Sequence, residues 1–153
     1  KEMMFLATGD LDGDALEDVF AAVKPDEILF FRRRSLNGRQ WETHSIRIPS
    51  KAGTTKAVSL GDINRDGNVD LVFSCENARG AKIGVYWLEY DKEPQEKQWK
   101  AHPISSSQGG KHDLCPLLDL DGDGDLDLVT SAWHSDAFTV FLGKGDGTFR
   151  PGI

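Results

Sequence analysis

The sequence predicts an all-β chain built from three repeated units of four short antiparallel strands, and three observations predict it. First, three acidic segments align without gaps: GDLDGDALEDVFA (Gly9 to Ala21), GDINRDGNVDLVF (Gly61 to Phe73) and LDLDGDGDLDLVT (Leu118 to Thr130). Their leading aspartates, Asp10, Asp62 and Asp119, recur at intervals of 52 and 57 residues. Second, the pattern W-x-x-H-x-I travels with them, at Trp41 to Ile46 and Trp99 to Ile104, with a looser third copy at Thr148 to Ile153. Third, the apolar runs are short, alternating and rich in β-branched and aromatic residues, which favours strands over helices.

In the first unit the strands are expected near residues 3–9, 19–23, 28–32 and 41–47. Asn37-Gly38 reads as a tight hairpin turn between the third and fourth. In the second unit a longer charged link, Asp91 to Gln98, takes that place, and in the third unit Gly143 to Gly147 does. That glycine-rich piece lacks the Gly-Lys-Ser/Thr ending of a phosphate-binding loop, and no helix follows it. The units divide a single repeat domain, 1–153, into 1–48, 49–105 and 106–153. Trp41, Trp99, His44 and His102 recur from unit to unit, so they read as packing residues.

Four strands in about 50 residues is the size of a β-propeller blade. Three blades are too few to close a ring, since propellers typically have about 4–8. The chain is therefore expected to be part of a longer protein or a protomer that closes by assembly. An open stack would leave apolar end faces in water. The expectation is a homo-oligomer, with two chains supplying six blades.

Composition narrows the function. The net charge of −7 argues against nucleic acid, which needs a basic surface. The run Arg32-Arg33-Arg34 reads as a solvated strand end. No apolar run approaches a membrane span of about 20 residues. Cys75 and Cys115 sit in apolar strand-like runs, where a buried thiol is the default.

The acidic segments carry the chemistry. Thirteen of the 25 acidic residues lie in the three loops, where like charges repel unless a cation sits among them. Carboxylate oxygens without histidine or cysteine select a hard cation, and an irregular cage suits Ca²⁺ better than Mg²⁺. An EF-hand would need a glutamate at position twelve and flanking helices. Position twelve here is Ala21, Phe73 and Thr130, and strands follow. An aspartate stands instead at position nine: Asp18, Asp70 and Asp127.

The motif D-x-[DN]-x-D-G-x-x-D followed by a strand, repeated at blade spacing, resembles the FG-GAP/VCBS repeats of integrin-α-like β-propellers. FLGKGDGTF, Phe141 to Phe149, also looks like a VCBS repeat. The resemblance extends over essentially the whole chain. It implies a calcium ion between the first and second strands of each blade, held by side chains at positions one, three, five and nine and the carbonyl at position seven. Carried over, the first site is Asp10, Asp12, Asp14, the Leu16 carbonyl and Asp18. The second is Asp62, Asn64, Asp66, the Asn68 carbonyl and Asp70. The third is Asp119, Asp121, Asp123, the Asp125 carbonyl and Asp127. Ala15 departs from the position-six glycine, so strain is expected in the first loop. Asn64 removes one negative charge, so a weaker second site is expected, and the third is expected to bind best.

The ions would be structural, tying the first strand to the second. Sites of the extracellular type bind at roughly 10⁻⁴–10⁻³ M and fill outside a cell, so an exported, extracellular or cell-surface protein is expected. The opposite face collects Glu76, Asn77, Arg79, Lys111, His112, Asp113, Trp133, His134 and Asp136. It is the candidate face for a carbohydrate or protein ligand. The expected class is a non-enzymatic binding or assembly module. The alternative is a fragment of a propeller-fold polysaccharide lyase or hydrolase, using His112 with Asp113 or His134 with Glu76 as the acid/base pair.

Overall fold

The computed structural model describes residues 1–106, 110–132 and 137–151. Twelve strands form three four-stranded antiparallel sheets with no helix among the described residues. The first sheet contains β1 (Glu2–Gly9), β2 (Asp18–Lys24), β3 (Glu27–Arg33) and β4 (Trp41–Arg47), in that order. The second contains β5 (Thr54–Gly61), β6 (Asp70–Glu76), β7 (Val85–Glu89) and β8 (Lys100–Pro103). The third contains β9 (Leu117–Leu118), β10 (Asp127–Ala132), β11 (Ala137–Gly143) and β12 (Phe149–Pro151). The architecture is all-β and its sheets have the form of propeller blades.

The sheets stack face to face because each second and third strand is apolar on both sides. Phe20, Ile28, Phe30 and Ile46 of the first sheet pack on Leu71, Phe73, Tyr86, Leu88 and Trp99 of the second. On its other side the second sheet presents Val72, Val85 and Trp87 to Leu128, Leu117 and Phe141 of the third. Polar stitches run between sheets. Thr55 donates its hydroxyl to the Val23 carbonyl at 2.7 Å, and the Trp87 indole N–H donates to the Gly147 carbonyl at 3.0 Å. The repeat extends to detail that the sequence hides: a register shift interrupts β1 between Met3 and Leu6, and β5 at the matching place, between Thr55 and Ala57.

The histidines of the repeated pattern pack as expected. His44 lies against Phe30, and His102 stacks on Trp87 with 4.1 Å between ring centroids. Both cysteines are free and buried, and burial pushes their thiols up to about 12 for Cys75 and about 11 for Cys115.

Two expectations need correction. Asn37-Gly38 does not make a two-residue hairpin. Arg34 N–H bonds the Gln40 carbonyl, closing a five-residue loop in which Gly38 takes φ +66° and the Ser35 hydroxyl receives the N–H groups of Arg39 and Gln40. Trp41 is not core: it is 42% exposed, whereas the matching Trp99 is buried. The physical reason is position in the stack. Trp99 lies on the face that β8 turns toward the first sheet, edge-on to Tyr90. Trp41 lies on the corresponding face of the first sheet, which no described sheet covers.

Candidate metal centre

Each acidic loop is built in the same way from its own side chains. The position-one carboxylate gathers backbone N–H groups from across the loop. Asp10 accepts from Gly13, Asp14 and Ala15, Asp62 from Asp66 and Gly67, and Asp119 from Gly122 and Gly124, all at 2.8–3.1 Å. Positions three and five each accept from the residue two further on, as short Asx side chains do in turns. These contacts are Asp12, Asn64 and Asp121 with the N–H of Asp14, Asp66 and Asp123, then Asp14, Asp66 and Asp123 with that of Leu16, Asn68 and Asp125. The curl demands left-handed backbone at positions four and six. Gly13 and Ala15 take φ of +73° and +65°, Arg65 and Gly67 +57° and +88°, and Gly122 and Gly124 +78° and +88°. Ala15 is the expected strained residue. Arg65 at position four is a second one, which the sequence reading did not single out.

The position-nine aspartates are different. Asp18, Asp70 and Asp127 are buried, and each reaches from the start of a second strand. Asp18 accepts the Arg33 N–H, Asp70 the Ile63 N–H, and Asp127 the N–H groups of both Leu120 and Gly143. They bind loop to strand as much as they face its centre. Asp18 Oδ2 is buried without a well-aligned hydrogen bond, and the Leu11 N–H is the other backbone group that faces this carboxylate besides that of Arg33. Burial raises the Asp18 carboxyl above its ordinary range, and the charges of Asp12 and Asp14 push the same way. Burial likewise raises Asp70 to about 7, with Asp66, Asp62 and Glu89 adding like charge.

The structure brings together a carboxylate oxygen of each of Asp10, Asp12 and Asp18 within 4.8 Å of one another, and the same of Asp119, Asp121 and Asp127. Asp14 and Asp123 stand outside these groups. In the second loop no such carboxylate group forms among the described residues. Asn64 there turns its amide N–H₂ toward Asp66 at 3.1 Å and toward Glu89 at 3.2 Å. Of the position-seven residues, Asp125 pairs through its side chain with Arg65 at 2.6 Å, and Asn68 accepts the Tyr90 hydroxyl at 3.4 Å. Leu16 is half-buried at the matching place.

Arg32 is not the solvated strand end that its sequence context suggests. Its guanidinium sits against the Asp12 carboxylate and 3.7 Å from Asp14. Strand pairing puts it there, so only register could have revealed it.

The opposite face fares differently. His112 is buried, and its Nδ1 lies 3.0 Å from the Thr130 hydroxyl. Its ring fills the space above Gly84, and burial lowers its pKa. His112 is thus an inter-sheet packing residue rather than part of a ligand face. Glu76 is engaged by Lys24 at 2.8 Å and Lys56 at 3.5 Å, and Asp113 by Lys111 at 3.2 Å. Asn77 and Arg79 are exposed, with Asn77 at φ +58°. Trp133, His134 and Asp136 lie outside the described residues.

No curated protein matches the chain. A family match exists nonetheless, and it starts at the first aspartate of the first loop and runs to the second strand of the second sheet: residues 10–73 match a family described as an FG-GAP-like repeat.

Proposed function

We propose that this chain is a calcium-binding β-propeller repeat module whose ions are structural. Asp18 carries the reading. A fully buried carboxylate crowded by the like charges of Asp12 and Asp14 is costly unless a cation completes it. Two more carboxylates, Asp10 and Asp12, converge on the same point. The donors are all oxygen, the geometry is irregular, and neither histidine nor cysteine is at hand, which favours Ca²⁺. Asp10, Asp12 and Asp18 would hold the first ion, Asp119, Asp121 and Asp127 the third, and Asp62, Asn64 and Asp70 the second. Binding to the folded loops alone converts into folding free energy. Three ions would bring the net charge of −7 to −1. Sites of this kind fill at extracellular calcium levels, which favours an exported protein. Calorimetric titration with CaCl₂ tests the reading. Asp18→Asn should remove one equivalent of bound calcium while the other loops still titrate. An unchanged stoichiometry would contradict it.

A second observation favours assembly as the module's role. The face of the first sheet turned away from the second carries Met3 (55% exposed), Leu6 (59%), Leu29, Phe31 and Trp41. The outward face of the third sheet carries Leu118, Val129 and Phe138 (63% exposed). By strand register these faces correspond to the two that meet between neighbouring sheets. A second copy placed head to tail would cover both and make six blades. A carbohydrate or protein ligand remains the reading for the face around Glu76, Asn77 and Arg79. A propeller-fold lyase or hydrolase would instead require polysaccharide turnover that Glu76→Gln abolishes.

A further inference from the structure

The three loops share their ligand pattern but differ in one residue that strand pairing delivers to each. Val19 pairs with Phe31, Leu71 with Leu88, and Leu128 with Phe141. One step further out, opposite the position-nine aspartates Asp18, Asp70 and Asp127, stand Arg32, Glu89 and Leu142. The same place in the repeat therefore holds a cation beside the first loop, an anion beside the second and an apolar side chain beside the third.

The contacts follow the charges. Arg32 reaches Asp12 and Asp14, and its side chain is only 21% exposed. Asp12 Oδ2 is buried against it without a properly aligned hydrogen bond, so the guanidinium neutralises this carboxylate without satisfying it. Glu89 Oε2 accepts from Asn64 Nδ2 at 3.2 Å, while Oε1 faces Lys100 and lies 2.9 Å from His102 Nε2. Asn64 stands where the other two loops carry Asp12 and Asp121, and Glu89 brings a carboxylate to that position from another strand. The third loop's cations come from elsewhere: Arg65 touches Asp125, and Arg150 lies 3.6 Å from Asp121.

We infer that the residue opposite the ninth aspartate tunes each loop for divalent cations: Arg32 is a tethered counter-ion that competes with the metal at the first loop, and Glu89 is the missing acidic group of the second. The inference rests on the calcium reading above.

A unit charge a few ångströms from a divalent ion changes its binding by roughly tenfold even with near-aqueous screening. The test is a CaCl₂ titration followed by the backbone amide resonances of Gly13 and Gly67, whose N–H groups bond the first aspartate of their own loops. Arg32→Leu should tighten the Gly13 midpoint roughly tenfold and leave Gly67 unmoved. Arg32→Lys, which keeps the charge, should leave Gly13 near its original midpoint. The isosteric Glu89→Gln should weaken the Gly67 midpoint roughly tenfold and leave Gly13 alone. The inference is overturned if the Gly13 midpoint ignores Arg32→Leu, if lysine acts like leucine, or if Glu89→Gln leaves Gly67 unchanged. Should no amide of the unmodified chain respond to calcium, the calcium reading itself fails, a result distinct from the others.

Discussion

Ala15 occupies a place that the other two loops give to glycine, and its φ of +65° shows the cost at the scale of one residue. A Cβ in left-handed backbone is disfavoured by about 1–2 kcal/mol, partly offset because alanine has less freedom to lose on folding than glycine. Ala15→Gly should therefore raise the unfolding free energy by about 0.5–1 kcal/mol, measured by urea denaturation. A loss of stability would mean that the loop has another conformation. The aspartates at positions one, three, five and nine were legible in the sequence because short acidic side chains at alternate positions have few uses besides a curled loop. The burial of position nine and its reach to a third strand were not legible. The N–H groups that Asp18 and Asp127 accept from Arg33 and Gly143 lie 15 and 16 residues away, on a third strand that only pairing brings close.

At the scale of elements, the four strands of the first unit lie close to their expected places because alternation and β-branched or aromatic residues mark them. Connections were harder. Asn37-Gly38 has the composition of a two-residue hairpin, but the Ser35 hydroxyl organises a wider loop around it. The sequence places His112 beside Lys111 and Asp113 on the expected ligand face. The packing of two sheets buries it, and nothing local encodes that. Its ring meets Gly84, where an added Cβ would lie 2.5 Å from His112 Cδ2 and 2.9 Å from Nε2. Gly84→Ala should thus force the second and third sheets apart locally and cost about 1–3 kcal/mol, seen as a lower thermal midpoint. If the midpoint holds, the ring must have room to move, and the His112–Thr130 contact is not what fixes the two sheets.

Across the whole molecule, the three sheets stack continuously, and no described sheet covers the outer face of the first or of the third. The contrast between buried Trp99 and exposed Trp41 expresses this in one pair of equivalent residues. Fold class and the number of units could be read from repetition alone. The state of the end faces could not, because it depends on what lies beside the chain. If a second copy covers them, the solution mass should be about twice 16.9 kDa, and Leu6→Glu should return it to the single-chain value. A folded chain that stays at 16.9 kDa at high concentration would rule out that assembly.

The central claim is that divalent ions at the three acidic corners hold these sheets in shape. Its most direct test is thermal unfolding in excess calcium against excess chelator. At free calcium a hundredfold above the dissociation constant, each occupied loop adds about 2.7 kcal/mol, or about 5–10 °C in a chain of this length. The account predicts a rise of at least that size, saturating with calcium. Superimposable melting curves in the two buffers would contradict it.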